Sequence, residues 1–168
     1  MSQSLLTLPP LGLYIHIPWC VRKCPYCDFN SHRAADKLPE DEYVQALIAD
    51  LDQEATLAEG RKLSSIFIGG GTPSLFSAQA IGRILAACEK RLGFVDAIEI
   101  TMEANPGTFE QARFNDFRHT GLNRLSIGIQ SFQDAQLQHL GRIHGRDESL
   151  RAVEMARAAG FENINLDL

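Results

Sequence analysis

The sequence predicts an α/β fold built on parallel strands. Short β-rich apolar runs alternate with amphipathic stretches of helical spacing, and glycines or capping residues separate them. Each apolar run also ends in a glycine-rich or polar element. Strand and helix in this rhythm imply parallel pairing through right-handed crossovers. Periodicity leaves open whether the sheet is doubly wound or curved into a barrel.

The elements follow in order. LYIHI (13–17) is a strand, and Asp41–Ala58 carries Tyr43, Leu47, Leu51 and Leu57 at roughly helical spacing. SIFIG (65–69) is a second strand. Ser77 can cap a helix whose face is Ile81, Ile84, Leu85, Cys88 and Leu92, closed by Gly93. AIEITME (97–103) is a third strand, and Thr108 with Gln111 reads as a capping box for a helix ending at Gly121. RLSIGIQ (124–130) is a fourth strand, followed by a short helix at Asp134–Leu140. Asp147 opens a longer helix that Gly160 closes, and NINLDL (163–168) begins a fifth strand.

The carboxyl ends of these strands deliver chemistry to one place. The first runs into a cysteine loop and the second into Gly69, Gly70 and Gly71; the others reach Glu103, Gln130 and Asp167. Parallel α/β folds build their sites at the carboxyl rim. Any one of these groups could be an ordinary loop polar residue; five together argue for a site. The glycine run lacks the Gly-Lys-Ser/Thr ending of a phosphate loop, and no G-x-G-x-x-G occurs.

Cys20, Cys24 and Cys27 lie within eight residues, as Cys-x₃-Cys-x₂-Cys. Three thiolates can hold three corners of a four-iron cluster and leave the fourth iron open to a ligand. The alternative is structural zinc, which wants four closed ligands, with His16 or His32 as the fourth. No second cysteine pair is present, so the spacing favours the cluster. A disulfide framework has less support in a chain without a secretion signal. Cys88 belongs to an apolar helix face and reads as core. His16 and His32 flank the cysteine loop, as proton donors or, the favoured reading, as plain loop residues; His119, His139 and His144 show no partner pattern, and Asp36–Glu42 reads as a solvated helix start.

The chain has 168 residues, of which 45% are hydrophobic, enough for one packed domain. A net charge of −5 with interspersed signs gives no nucleic-acid footprint. No apolar run approaches the roughly 18–20 residues that span a bilayer. With four cysteines and no signal peptide in MSQSLLTLPP, the cytoplasm is the expected compartment.

Cys-x₃-Cys-x₂-Cys with Tyr26 before the last cysteine resembles the signature of the radical S-adenosylmethionine superfamily. LYIHIPWC, CPYCDFNSH, FIGGGTPS, EITMEANPGT, RLSIGIQSF and LGRIHG together are similar to the oxygen-independent coproporphyrinogen III oxidase group, and most to its heme chaperone branch. The resemblance spans about Leu11 to Leu168, after a leader at 1–10. It implies a partial (β/α)₆ barrel, a 4Fe–4S cluster on Cys20, Cys24 and Cys27, and S-adenosylmethionine on the open iron. The group's chemistry would be reductive cleavage of the sulfonium to methionine and a 5′-deoxyadenosyl radical.

The resemblance carries further residue by residue. Gly70, Gly71 and Thr72 match the strand-end element that meets the methionyl amino group. Glu103, Gln130 and Asp167 match S-adenosylmethionine contacts, and Arg142 matches the partner of the methionyl carboxylate, where a guanidinium fork fits. Tyr14 and Tyr26 match aromatic positions lining the same site. Taken alone, Arg142 would read as a surface arginine and Tyr14 as core.

The chain also departs from the oxidases. They carry a fourth cysteine two positions after the third, where this chain has Phe29, and an N-terminal segment before the first strand. Both departures point to the heme chaperone branch, with delivery of heme to respiratory acceptor proteins as the implied role. An oxidase of porphyrin biosynthesis is the alternative. The heme-binding His-Asn-x-x-Tyr-Trp motif of that branch would fall beyond Leu168, and no His-Asn pair occurs here. A fifth strand with nothing following it leads us to expect a piece of a longer protein.

Overall fold

A computed structural model of the protein describes residues 8–107 and 111–168. Five strands form one parallel sheet: β1 (Leu11–Ile17), β4 (Leu63–Gly70), β5 (Phe94–Ala104), β6 (Arg124–Gly128) and β7 (Asn163–Asp167), in that spatial order. Two short segments, β2 (Trp19–Cys20) and β3 (His32–Arg33), pair parallel to each other. The helices are α1 (Glu40–Glu54), α2 (Ala78–Leu92), α3 (Gln111–His119), α4 (Asp134–His139) and α5 (Arg146–Ala158), with 3₁₀ turns at Ala55–Ala58 and Pro73–Leu75.

The spatial order of the large sheet is the chain order. Each right-handed crossover therefore steps in the same direction, which puts the connecting helices on one face. Packing agrees: α1 lies on α2, α2 on α3, and α3 on α5. This resolves the choice that periodicity left open. The sheet is a barrel-like arc and not a doubly wound sheet.

Side-chain alternation then sorts each strand into two faces. Ile15, Ile17, Ile66, Ile68, Ile100, Met102, Leu125 and Ile127 are buried toward the helices. There they meet Ile81, Ile84, Leu85 and Cys88 of α2, Phe114 and Phe117 of α3, and Phe161. Each such side chain is worth about 1.5–3 kcal/mol on burial. The opposite, concave face carries Tyr14 and His16, then Phe67, then Thr101 and Glu103, then Arg124 and Ser126, then Asn165 and Asp167. The register sets Tyr14 beside Phe67, Phe67 beside Thr101, Glu103 beside Ser126, and Ser126 beside Asn165. A parallel sheet is ordinarily apolar on both faces. This one is polar on its inner face.

Most expected elements are present, with small differences. Ser77 Oγ accepts the Ala80 N–H at 3.1 Å, and α2 stops before Gly93. The predicted helix to Ala58 is α-helical to Glu54 and 3₁₀ thereafter. α5 begins at Arg146, not Asp147. Its first turn is held by Glu148, which accepts the Gly145 N–H at 2.8 Å, and by Asp134, which accepts the Arg146 N–H at 2.8 Å. The Thr108–Gln111 capping box lies outside the described residues. The Asp36–Glu42 stretch is more than a solvated start: Glu40 accepts from both Ser77 N and Ser77 Oγ, at 2.8 and 2.6 Å, joining α1 to the cap of α2.

Candidate functional site

The cysteine loop is closed at its base. Trp19 and Cys20 pair with His32 and Arg33, the His32 N–H donates to Pro18 O, and the Ala34 N–H donates to Cys20 O, both at 2.7 Å. Across the loop Lys23 Nζ donates to Phe29 O at 3.3 Å, and a turn joins Cys27 N–H to Cys24 O at 3.1 Å. Cys20, Cys24 and Cys27 are free thiols, each partly exposed.

The glycine run docks this loop onto the sheet. The Gly71 N–H donates to Ile17 O at 2.8 Å and the Thr72 N–H to Trp19 O at 2.7 Å. A Cβ at Gly71 would sit 2.6 Å from Trp19 O, and one at Gly70, where φ is +115°, would strike the His16 ring. Gly71 must lack a Cβ because backbone packs on backbone there, and Gly70 because of its positive φ and the His16 ring.

A cleft of about 510 Å³ opens on the concave face at the carboxyl rim. Its wall includes Cys20, Cys24, Tyr26 and Cys27 from the loop, Gly70 at the end of β4 with Gly71 and Thr72 beyond it, and Glu103, Gln130, Arg142 and Asp167. Tyr14 stands apart from that wall. It is 56% exposed, so it is not core; it stacks on Phe67, ring centroids 6.3 Å apart, and its hydroxyl lies 2.8 Å from His16 Nδ1.

Two carboxylates face the cleft. Glu103 Oε2 accepts the Gly70 N–H at 3.0 Å. Burial raises the Glu103 pKa, the Gly70 hydrogen bond opposes this, and the charge of Asp167 adds to it. Asp167 is held by Ser126 Oγ at 3.0 Å and Asn165 Nδ2 at 2.6 Å. Arg142 joins the loop to the sheet. Its Nη2 donates to Asn105 Oδ1 at 2.7 Å and to Gly128 O, and its Nη1 reaches Tyr26 Oη at 3.4 Å and Cys24 Sγ at 3.7 Å. Gln130, two residues beyond β6, has φ +68°, an uncommon conformation for a side-chain-bearing residue. Outliers of this kind cluster at ligand sites.

Three partners escaped the sequence reading. Asn105 ties Arg142 to Thr72, donating from Nδ2 to Thr72 Oγ1 at 3.0 Å. Ser126 and Asn165 hold Asp167. Strand alternation could have found Ser126 and Asn165, each two residues from another inward position; Asn105 keeps the same spacing from Glu103 but lies just past the end of β5.

The three thiols form a donor set that fits three corners of an iron–sulfur cluster. The donor set is all sulfur and lines one cleft. Burial raises the Cys20 pKa, the Thr72 and Ser31 hydroxyls oppose this, and the charges of Cys27 and Cys24 raise it again, so the sulfurs feel one another. A bound metal centre would remove that penalty. Both ring nitrogens of His16 are engaged, Nε2 with Asn30 O at 2.8 Å. Among the described residues no group of three or more His, Cys, Asp or Glu side chains is already placed to hold a metal ion.

The profile of the Radical SAM superfamily matches residues 14–168. The heme chaperone HemW of Escherichia coli (strain K12) is 54% identical over 164 residues, covering 98% of this chain and 43% of that protein. HemW of Haemophilus influenzae is 55% identical over 165 residues, covering 96% of this chain and 43% of that protein. The chain thus spans less than half the length of these relatives. Among solved structures, coproporphyrinogen III oxidase HemN from Escherichia coli, a radical SAM enzyme, superposes with a TM-score of 0.85 at 31% identity, over 95% of this chain and 37% of that one. No helix among the described residues is long and apolar enough to cross a membrane.

Proposed function

Because this chain belongs to the radical SAM superfamily, we propose that it binds a 4Fe–4S cluster and S-adenosylmethionine in the rim cleft, as the cofactor-binding part of a heme chaperone. The observation that carries this reading is the convergence, on one cleft, of the three thiols with the Gly70–Thr72 turn, Glu103, Gln130, Arg142 and Asp167.

Cys20, Cys24 and Cys27 would hold the cluster, which when bound supplies an electron to S-adenosylmethionine. The chain's own residues do the rest. Glu103 and Asp167 offer acceptors to ribose hydroxyls. The Gly70–Gly71 backbone gives close approach to the methionyl amino group. Arg142, adjacent to both the loop and the sheet, offers two donors to the methionyl carboxylate. Tyr26 presents an aromatic face at the mouth of the cleft.

Heme delivery to respiratory acceptors rests on the likeness to HemW and on Phe29, which stands where oxidases carry a further cysteine. Phe29 lies on the cleft wall, 59% exposed. The competing reading is coproporphyrinogen III oxidation, since HemN shares the fold at 31% identity.

Anaerobic reconstitution of the full-length protein tests both. We expect about four irons and four sulfides per chain, a change in the reduced cluster's EPR spectrum on adding S-adenosylmethionine, heme binding, and no protoporphyrinogen from coproporphyrinogen III. Stoichiometric zinc without a charge-transfer band would sink the cofactor reading, and protoporphyrinogen formation would restore the oxidase.

A further inference from the structure

We propose that His144 is a positioning residue that sets the relative placement of Gln130, Arg142 and Asp167 through a single peptide unit. The inference rests on the S-adenosylmethionine reading above and goes beyond it by naming what holds the ligand groups in place.

β6 ends in a tight turn, with the Ile129 N–H donating to Ile127 O at 2.9 Å, and Gln130 follows with φ +68°. The peptide between Ile129 and Gln130 is held on both sides. Its N–H donates to Asp167 O at 2.7 Å, and its carbonyl, Ile129 O, lies 3.1 Å from His144 Nε2. A carbonyl only accepts, so Nε2 carries the proton and Nδ1 is the bare nitrogen. His144 is two residues beyond Arg142, and Asp167 O belongs to a residue whose carboxylate faces the cleft. One peptide plane thus joins the segments carrying all three groups.

His144 is 4% exposed, and its Nδ1 has no hydrogen-bond partner among the described residues. A buried unpaired nitrogen is unfavourable. A leucine of similar bulk would fill the space without that penalty. The imidazole is accounted for by what Nε2 does. A left-handed non-glycine residue persists only where its surroundings overdetermine it, and His144 supplies the bond on the side opposite Asp167.

The test uses the reconstituted full-length protein with His144→Leu and His144→Gln, the latter able to donate from Nε2. Three quantities are measured: iron content, S-adenosylmethionine affinity by calorimetry, and amide exchange at Gln130. For His144→Leu we expect unchanged iron, roughly five- to ten-fold weaker binding, as one lost buried hydrogen bond implies, and faster Gln130 exchange. His144→Gln should recover part of both. If the leucine variant matches the parent in affinity, or loses affinity only together with iron, this inference is overturned while the cofactor site stands. A parent that binds no S-adenosylmethionine overturns the site and the inference together.

Discussion

Glu103 Oε2 accepts the Gly70 N–H at 3.0 Å, and this contact bridges the carboxyl ends of β4 and β5 at the floor of the cleft. It holds the Glu103 carboxyl in a partly buried position that also feels Asp167, and burial with that charge raises its pKa.

Glu103→Gln is expected to stabilise the ligand-free protein. The folded pKa of Glu103 lies above its ordinary value, chiefly through burial. A raised carboxyl pKa favours the folded state below the unfolded pKa, and that contribution disappears as pH rises through the folded value. Where the group is ionised it is therefore a liability. The amide keeps an acceptor for Gly70. A gain of about 2–4 °C in the ligand-free Tm at pH 7.5, shrinking toward pH 4, checks this by calorimetry; a gain that grows on acidification contradicts it. S-adenosylmethionine affinity should fall in the same variant.

The four cysteines should divide three to one. Serine at Cys20, Cys24 or Cys27 should abolish stable iron binding. Cys88 is 1% exposed on the inner side of α2, and burial pushes its thiol up to about 11, so it is an inert core residue. Cys88→Ala should keep the parent's iron and sulfide content and lose about 1 kcal/mol of stability. Iron and sulfide analysis of the four variants decides the matter.

Two glycines should respond in opposite directions. Gly71→Ala puts a Cβ 2.6 Å from Trp19 O and has no flexible side chain to displace. It should cost about 2 kcal/mol or more and loosen the cysteine loop. Gly82 lies inside α2, with Thr120 Cγ2 an ordinary 3.6 Å from the added carbon. Gly82→Ala should stabilise by about 0.5–1 kcal/mol. Denaturant melts of both variants measure the contrast.

Arg142→Lys keeps the charge and loses the fork. The guanidinium meets Asn105, Gly128, Tyr26 and Cys24 from two nitrogens, which a single ammonium cannot span. We expect S-adenosylmethionine affinity to fall about ten-fold with iron content unchanged. Parent-like affinity in both Arg142→Lys and Arg142→Ala would remove the carboxylate role.

The local sequence determined the strands, the Ser77 cap, the glycine stops and the thiol spacing. These depend on dihedral preference, short-range hydrogen bonds and alternating hydrophobicity, all readable over a few neighbours. Glu103, Gln130 and Asp167 were also visible, because a strand's end marks which rim its next polar residue joins. Periodicity left the curvature open; the family resemblance implied a partial barrel, and the strand order bears it out. Strand order and helix side are properties of long-range pairing, and they made the inner face polar. Asn105 and His144 became meaningful only there: one meets Thr72 and Arg142, the other meets Ile129 O, across separations of 15 to 37 residues. A short-range pattern carries no record of contacts made at that distance, because they arise only when the crossovers bring the strand ends to one rim.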